Sequence, residues 1–295
     1  MLSWGDLVHR LFAYLNTYAH NFADYALVLL VGVALGMASE RLGPLEKSQP
    51  KAAARFNVMY ALLGGACLIL LKPLTYAGSL SAVQYLGGGL IHFAPTPLGF
   101  AAAVLALWIF TDLLEYLFHR VQHAVPWMWA MHELHHSEET YNVTLTYRHY
   151  WFEFVLKGLF VYPLVGILLK APPAAAGVVA LVFLVNHVVA HMNVGLSLGP
   201  CWAWISTPQF HRLHHSRDPR HYDKNFCDML PLWDLLFGTA SKPEPGEFCE
   251  IGLMPSHKPA TLWQALVWPF ARRRFAIDHG YQVLRKPISN DQGCS

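Results

Sequence analysis

The sequence predicts an all-α fold: a multi-span transmembrane helical bundle with a histidine-rich domain at one end. Three observations support this prediction. Of the 295 residues, 54% are hydrophobic and only 14% are charged, whereas an average soluble domain has roughly a quarter charged residues. Apolar segments recur at helix length. Finally, the chain contains 17 histidines, and most of them fall at the ends of these segments or between them.

Five apolar segments are long enough to cross the ~30 Å hydrocarbon core of a bilayer as helices. The first two are Phe22–Gly43 and Phe56–Leu74. The third, Leu98–His123, becomes polar in its second half, which predicts one long helix that leaves the membrane and continues into water. The last two, Trp151–Lys170 and Ala174–Asn193, form a predicted hairpin, because the prolines between them oppose helix continuation.

The spans divide the chain into three predicted regions. Residues 1–97 form an N-terminal membrane region with two spans and a Gly-rich stretch, Gly78–Pro97, that lies at the interface or folds back on the bundle. Residues 98–240 carry the histidine clusters, and residues 241–295 form an interfacial or cytoplasmic tail. Nine basic residues lie near span ends on the side of the clusters and three on the other side. Because cytoplasmic loops are rich in Lys and Arg, the clusters are predicted to face the cytoplasm.

The tail contains the segment LWQALVWPFARRR, in which apolar residues adjoin three arginines. Such a segment is either an interfacial helix on anionic headgroups or a helix packed on the preceding domain. The apolar residues in question are Trp263, Leu266, Val267 and Phe270.

Charge and cysteine usage argue against several classes of protein. The net charge is only +2 with neutral histidines, and no basic tract contains interleaved aromatics, so we expect no nucleic-acid partner. The five cysteines are scattered without a C-x-x-C pair, which argues against a disulfide framework and a thiolate metal site. No positively charged region precedes the first apolar run, so no cleavable signal peptide is expected.

Ten histidines form four groups with helical spacing, namely two H-x-x-x-H pairs and two H-x-x-H-H clusters. Residues at i, i+3 and i+4 share a helix face, so each group can direct two or three imidazoles at one point. The ten are His119, His123, His132, His135, His136, His187, His191, His211, His214 and His215.

Ten neutral imidazoles suit two metal ions with about five ligands each. Structural zinc prefers four ligands in a closed shell, whereas imidazole also accepts copper, nickel and iron, so the ligand type alone does not identify the metal. Two adjacent ions with open coordination positions favour redox or oxygen chemistry over a purely structural role. The predicted fold is therefore a membrane bundle with a cytoplasmic histidine-rich di-metal domain.

Two cations held only by neutral nitrogens need nearby negative charge, because buried charge is costly. Carboxylates are therefore expected next to the imidazoles, where they fix the ring tautomers. The candidates are Asp112, Glu115, Glu153, Asp218, Asp223 and Asp234. His149 stands alone near the membrane surface, and its role as a ligand or as a partner of a ligand stays open. No metal role is expected for the remaining histidines, His9, His20, His92, His221, His257 and His279.

The chain resembles the fatty acid hydroxylase/sterol desaturase superfamily of integral-membrane, non-haem di-iron oxygenases. The matching stretches are DLLEYLFHRVQH, LHHSEETYNVTLTYRHYWFE, NHVVAHMN, TPQFHRLHHS and DKNFCDMLPLWDLLFGT, in this order, over residues 101–239. Cys227 departs from the family, which more often has glycine there, and residues 1–100 match nothing specific. The resemblance implies that the ten histidines bind two irons, and that residues 98–240 form a domain that hydroxylates or desaturates lipids with O2. Zinc is expected as a substitute in purified samples.

The resemblance also implies an electron donor, and the sequence has no haem domain, ferredoxin cysteines or G-x-G-x-x-G motif to supply electrons itself. We therefore expect a separate reductase or redox protein, which docks on the Arg212–Arg220 face unless these arginines contact headgroups. The lipid substrate is expected to enter from the bilayer. Its groove is lined by aromatic side chains that equally fit an interfacial belt, namely Trp108, Tyr116, Trp127, Trp129 and Trp151.

The substrate stays open among sterol-like polycycles, fatty acyl chains, carotenoids and aminolipids. The Ala-, Gly- and Leu-rich spans favour a bacterial inner membrane and a bacterial lipid. Two other classes remain as alternatives. A histidine-rich metal transporter would place ligands midway across the bilayer, and a zinc-dependent lipid hydrolase would act without oxygen.

Overall fold

The computed structural model describes residues 4–254 and 256–272, and their regular structure is almost entirely helical. The all-α prediction is therefore confirmed. In chain order, the α-helices are α1 (Trp4–Glu40), α2 (Lys51–Tyr85), α3 (Pro97–Ala124), α4 (Pro126–His136), α5 (Trp151–Leu156), α6 (Tyr162–Leu168), α7 (Pro173–Ala190), α8 (Pro208–His214), α9 (Leu232–Leu236) and α10 (Leu262–Leu266).

Short elements connect these helices. A π-helical turn, Lys157–Val161, joins α5 to α6 without a break. The strands β1 (Ile91–His92) and β2 (Leu169–Lys170) form a parallel pair with Ile91 opposite Leu169. Three 3-10 turns lie at Val143–Tyr147, Gly199–Cys201 and Pro219–His221.

Five segments of the described chain are long and apolar enough to cross a membrane, as the sequence predicts. Large apolar side chains on their outer faces are exposed, such as Leu27 on α1 at 64% and Leu181 on α7 at 61%. This pattern is that of an integral membrane protein, in which lipid covers the outer surface. The segments are Phe12–Glu40, Lys51–Tyr85, Pro97–Ala124, Trp151–Leu168 and Pro173–Ala190.

The first two helices are longer than their predicted apolar cores. α2 continues past an internal proline, Pro73, and through the first eight residues of the stretch predicted to lie at the interface. Membrane helices tolerate proline because neighbouring groups satisfy the freed backbone. The helix ends before Gly87 and Gly89, whose positive φ values of 68° and 83° suit glycine, and the chain then pairs through β1.

Close packing of α1 on α2 depends on one glycine. A Cβ built on Gly65 would lie 2.1 Å from the ring of Tyr25. The hydroxyl of that tyrosine donates a 2.9 Å hydrogen bond to the carbonyl of Ala61. The missing side chain therefore lets the ring reach the backbone of the neighbouring helix.

The helices that carry the histidine clusters end at or next to them. α4 ends at His136 and α8 at His214, while His191 follows the last residue of α7. Thr207 accepts a hydrogen bond from the Phe210 amide and so fixes the start of α8. The clusters consequently meet at one end of the bundle, where α3 and α7 finish and α5 begins.

The tail segment packs on the bundle through part of its surface. Ala265 and Trp268 are buried in a cluster that includes Tyr60 of α2. Trp263 and Phe270 are 67% and 71% exposed. The segment thus packs on the protein with one face and presents aromatic rings on the other. Residues 273–295, with His279, lie outside the described residues.

Candidate metal centre

Nine of the ten predicted histidines converge in two adjoining groups. Within each group, one ring nitrogen per residue lies within 4.8 Å of every other. We call the first the five-histidine group, which consists of His119, His123, His132, His136 and His214. We call the second the four-histidine group, which consists of His135, His191, His211 and His215.

Helical spacing divides each H-x-x-H-H cluster between the two groups. In α4, His132 and His136 are four residues apart and join the five-histidine group, while His135 joins the four-histidine group. At α8 the assignment is the opposite. His211 and His215, which are four residues apart, join the four-histidine group, and His214 joins the five-histidine group. Two short helices therefore contribute to both sites, which fixes the sites side by side.

Ring contacts demonstrate how near the two groups are. The rings of His136 and His215 stack at 4.5 Å between centroids, and those of His211 and His214 at 5.5 Å. Each of these pairs joins a member of one group to a member of the other. Two ions in these groups would be close neighbours.

Backbone carbonyls fix the tautomers of two histidines in the five-histidine group. His119 Nδ1 lies 2.8 Å from the Phe226 carbonyl, and His214 Nδ1 lies 2.8 Å from the Lys224 carbonyl. A carbonyl only accepts hydrogen bonds, so the ring proton is on Nδ1. The Nε2 atom of each ring is left with a free lone pair, the form in which imidazole binds metals.

Carboxylates hold two further rings of this group. Glu153 Oε2 lies 3.2 Å from His132 Nδ1 and 3.5 Å from His149 Nδ1, and it accepts a 2.7 Å hydrogen bond from Gln122. Asp223 Oδ1 lies 3.3 Å from His123 Nδ1. A carboxylate behind an imidazole orients the ring and makes it a stronger ligand.

Facing lone pairs give a direct test of whether a cation fits. His119 Nε2 lies 3.0 Å from His132 Nε2, although both protons belong on Nδ1. In the four-histidine group, His191 Nδ1 faces the backbone carbonyl of residue 187, and its Nε2 lies 3.0 Å from His211 Nε2 and 3.3 Å from His135 Nε2. Metal–nitrogen bonds of about 2.0–2.1 Å separate neighbouring ligands by about 3 Å. At the His119–His132 contact a metal therefore fits where a hydrogen bond does not.

Several buried ring nitrogens have no hydrogen-bond partner among the described residues. Such groups are rare in folded proteins and call for an explanation. In the five-histidine group they are the Nε2 atoms of His123, His136 and His214. In the four-histidine group they are the Nδ1 atoms of His135, His211 and His215.

Burial keeps these imidazoles neutral. Desolvation lowers the pKa of His191 and His214 to about 3. It also lowers the pKa of His135, His136 and His215 well below the usual range. At neutral pH a proton is therefore not the cation between the rings, and the neutral imidazoles of the two groups could bind metal.

One loop after α8 supports the five-histidine group. Besides the carbonyls of residues 224 and 226, it supplies Asp223 to His123. Asp223 and Asn225 have φ values of 57° and 56°, a left-handed conformation that Asp and Asn tolerate best after glycine. The buried Asn225 amide donates to the carbonyls of Phe210 and Ser241, which fixes the loop against α8.

Two further carboxylates anchor this loop from behind. Asp234 accepts hydrogen bonds from the amides of Phe226 and Cys227 at 2.8 and 2.9 Å. Asp112 accepts from the amide of Met229 and the indole of Trp233 at 2.9 and 2.8 Å. Both acids therefore act on the loop and not on the rings.

Some predicted site residues lie elsewhere than expected. His187 belongs to neither group, and its Nε2 lies 2.5 Å from Asp228 Oδ1. Asp112 does not contact the histidines, because its oxygens are used by the loop. Asp218 caps a 3-10 turn and pairs with Arg220. Glu115 pairs with Lys157 at 2.6 Å.

Sequence reasoning did not identify several supporting groups. Asp228 and Gln122 belong to no metal-binding pattern in the sequence. Only their contacts with His187 and Glu153 identify them as supporting groups. Backbone carbonyls such as those of residues 224 and 226 are present at every position, so no residue type marks them. His221, for which no metal role was predicted, lies within 4.8 Å of Glu247 and Cys249, and its Nδ1 is 3.1 Å from the Ser216 hydroxyl.

The aromatic residues predicted to line a groove have separate surroundings. Trp129 lies beside His123 at 4.8 Å between centroids. Tyr116 is buried and its hydroxyl lies 2.9 Å from the Thr239 hydroxyl. Trp127 is 58% exposed. The indoles of the other two bond to distant partners: Trp108 to the Met229 sulfur and Trp151 to the Leu266 carbonyl.

A small cavity opens beside the histidine groups between α3, the α5–α6 segment and α7. Five histidines of the two groups face it, together with His149 and His187. Its other walls carry Glu115, Gln122, Lys157, Phe226 and Asp228. The cavity thus combines the ring nitrogens with two acid–base pairs.

Comparison with known proteins places the chain in a family. Residues 104–239 match the fatty acid hydroxylase family. The chain is 30% identical to the ornithine lipid hydroxylase OlsE of Rhizobium tropici over 255 residues, which cover 84% of this chain and 76% of the relative. The chain belongs to the fatty acid hydroxylase family. The matched region contains all nine grouped histidines and the supporting loop.

Other members of the fatty acid hydroxylase family align over shorter parts. The chain is 31% identical to the alkylglycerol monooxygenase of Danio rerio, over 66% of this chain and 43% of the relative. It is 37% identical to the alkylglycerol monooxygenase of Homo sapiens, over 43% of this chain and 28% of the relative. The chain thus spans less than half of these monooxygenases. No solved structure matches it.

Proposed function

We propose that this protein is a membrane-bound di-iron oxygenase that hydroxylates, or desaturates, a C–H bond of a membrane lipid. It would use O2 and two electrons from a separate redox partner. Hydroxylation then balances as substrate, O2, two electrons and two protons giving alcohol and water. The observation that carries the proposal is the pair of adjoining groups of neutral histidines with facing ring nitrogens.

The choice of iron follows from the chemistry of the reaction. Oxidation of an unactivated C–H bond needs a redox-active metal, and zinc has no redox chemistry. When bound, two ferrous ions would supply the electrons that activate O2. The nine grouped histidines would hold them, with His187 and His149 close enough to the cavity to adjust the donor set.

The protein's own residues would orient the ligands and limit water. Glu153 and Asp223 offset part of the metal charge and keep His132 and His123 in one tautomer. The loop carbonyls do the same for His119. The substrate C–H bond would be presented in the cavity on the membrane side of the rings. Because the ligands are the same for both outcomes, the position of the substrate would decide between hydroxylation and desaturation.

The location and substrate are part of the same proposal. The excess of basic residues on the histidine side supports a site that faces the cytoplasm of a bacterial inner membrane. The names of the relatives support a polar membrane lipid, such as an ornithine lipid or an alkylglycerol.

The docking face for an electron donor is smaller than the sequence predicts. Arg212 is buried and bonds to Glu46, and Arg217 bonds to Glu139. Arg220 remains 76% exposed beside Asp218. We propose that a donor approaches this exposed corner of the Arg212–Arg220 face.

Lipid mass spectrometry of cells with and without the protein tests the function. We expect a gain of one oxygen or a loss of two hydrogens in one lipid class. The substitutions His135→Ala and His214→Ala should abolish the shift while the protein stays in the membrane, and His20→Ala on the exposed part of α1 is the matched control. An unchanged lipid profile, or full activity of either variant, would contradict the proposal. Oxygen-independent lipid cleavage with stoichiometric zinc would indicate a hydrolase instead.

A further inference from the structure

A buried ion pair lies inside two candidate membrane spans. Lys157 Nζ of the π-helical turn lies 2.6 Å from Glu115 Oε2 of α3, and their side chains are only 14% and 8% exposed. Charged groups at this depth are expensive, and those that occur usually serve function. An apolar replacement of such a pair is often neutral or stabilising, so stability alone does not account for it.

The Lys157 ammonium contacts the Glu115 carboxylate and lies near two aromatic rings. Glu115 takes one side, and the rings of Phe118 and Phe154 lie 5.6 and 5.9 Å from Nζ. Cation–aromatic contacts at this distance hold the ammonium in place. Both members of the pair also face the cavity. An ammonium has three donors, so donors remain for a group that enters the cavity.

The position of the pair relates it to the reacting centre. His119 is one turn after Glu115 on α3, and its ring faces the same cavity. His187 and Asp228 form a second acid–base pair on the cavity wall. A purely hydrocarbon substrate would desolvate both pairs and offer no acceptor to the remaining N–H donors of Lys157, which is costly. The cavity therefore fits a substrate with polar atoms close to the carbon that reacts.

We propose that the Lys157–Glu115 pair binds an O–H or N–H group of the lipid, so that the oxidised carbon lies within a few bonds of that group. This inference rests on the proposed function and deepens it. The ammonium donates to the oxygen or nitrogen of the substrate, and the carboxylate accepts its proton in a hydrogen bond. The substrate class is a lipid with a free hydroxyl or amine near the head. A sterol side chain or the middle of an acyl chain is excluded.

The position of the new oxygen tests this inference in cells that express the full-length protein. Tandem mass spectrometry of the oxidised native lipid should locate the oxygen in the headgroup or glycerol region. Two fed probes sharpen the test: 1-O-hexadecylglycerol, with free hydroxyls, and its 2,3-di-O-methyl ether. We expect at least tenfold more oxidation of the first, since a hydrogen bond to a charged group has about that effect on affinity. A third probe, an ornithine lipid, distinguishes an amine from a hydroxyl.

Variants connect the selectivity to the pair. Lys157→Met should raise the apparent KM for the preferred lipid about tenfold while iron content stays at the wild-type level, and Lys157→Arg should restore part of the loss. Lys72→Met, at an exposed lysine of α2, is the matched control and should change nothing. An unchanged KM in Lys157→Met would overturn the inference.

The outcomes separate this inference from the proposed function. If cells that express the wild-type protein oxidise no lipid, the proposed function fails and the inference fails with it. If they place oxygen in the middle of a chain, or oxidise the diol and its ether equally, the inference alone fails. The wild-type comparisons need no variant, so poor folding of Lys157→Met does not remove the test.

Discussion

His187 Nε2 lies 2.5 Å from Asp228 Oδ1, and this contact separates His187 from the four-histidine group. The H-x-x-x-H pair of α3 contributes both its rings to one site. The equivalent pair of α7 contributes only His191. The four-histidine group therefore has one ring fewer than the five-histidine group, and the His187 ring contacts a carboxylate at the cavity wall.

The two histidines of α7 should therefore contribute unequally to metal binding. We expect His191→Ala to remove about half of the bound metal, because its Nε2 faces two other ligand nitrogens. We expect His187→Ala to retain most of it. Metal content per purified protein, measured by plasma mass spectrometry, checks this difference, with His20→Ala as the control. Equal losses in the two variants would mean that His187 is a fifth ligand in the metal-loaded protein.

Glu153 should control the metal affinity of the five-histidine group without binding metal itself. Its carboxylate contacts the Nδ1 atoms of His132 and His149. Glu153→Gln removes the negative charge. Mutation of a residue that hydrogen-bonds to a metal ligand typically costs about 10–100-fold in metal affinity, and we expect a loss of that size. Competition with a chelator of known affinity measures the change. Glu250→Gln, at a side chain that is 88% exposed, should have no effect.

If Glu153→Gln bound both metals with wild-type affinity, the carboxylate would have no role in holding His132. The same measurement on Asp223→Asn compares the contribution of Asp223, beside His123, with that of Glu153, beside His132. Asp223 is 42% exposed, so solvent screens its contact with His123, and we expect a smaller loss than for Glu153→Gln.

Asp234 should matter for stability more than for metal binding. Its carboxylate accepts from the amides of Phe226 and Cys227 and from the Thr239 hydroxyl at 2.6 Å. Asp234→Asn replaces one acceptor by a donor that faces these groups, which costs roughly 1–3 kcal/mol of unfolding free energy. Thermal unfolding in detergent measures the loss. Asp218→Asn is the matched control at a partly exposed site, and an equal melting temperature for both variants would contradict the role of Asp234.

The sequence predicts the helices and the grouped histidines better than the residues that support them. Helical spacing is a local property, so the i, i+3 and i+4 pattern of His132, His135 and His136 predicts that the rings share a helix face. The pattern predicts one meeting point for the three rings, whereas the structure divides them between two groups. The partners of the carboxylates are harder to predict. Asp112 and Glu153 are both carboxylates, but Asp112 accepts from the loop and Glu153 contacts His132. Which one meets an imidazole depends on how α3, α5 and the loop pack, and packing over such distances leaves no local pattern. The carbonyl of Phe226 carries no sequence signal at all.

Metal should stabilise the folded protein, because the two groups bring neutral ring nitrogens together at the spacing of metal ligands. His211 Nε2 lies 3.0 Å from His191 Nε2 and 3.2 Å from His215 Nε2. A cation that binds the folded state and not the unfolded state raises stability by mass action, by about 2.7 kcal/mol at 100 times its dissociation constant. We therefore expect the melting temperature of chelator-treated protein to rise on addition of ferrous iron under anaerobic conditions, in proportion to the logarithm of its concentration. His211→Ala removes one ring of the four-histidine group and should gain less from iron. A wild-type melting temperature that does not respond to iron would show that the rings do not enclose a metal site.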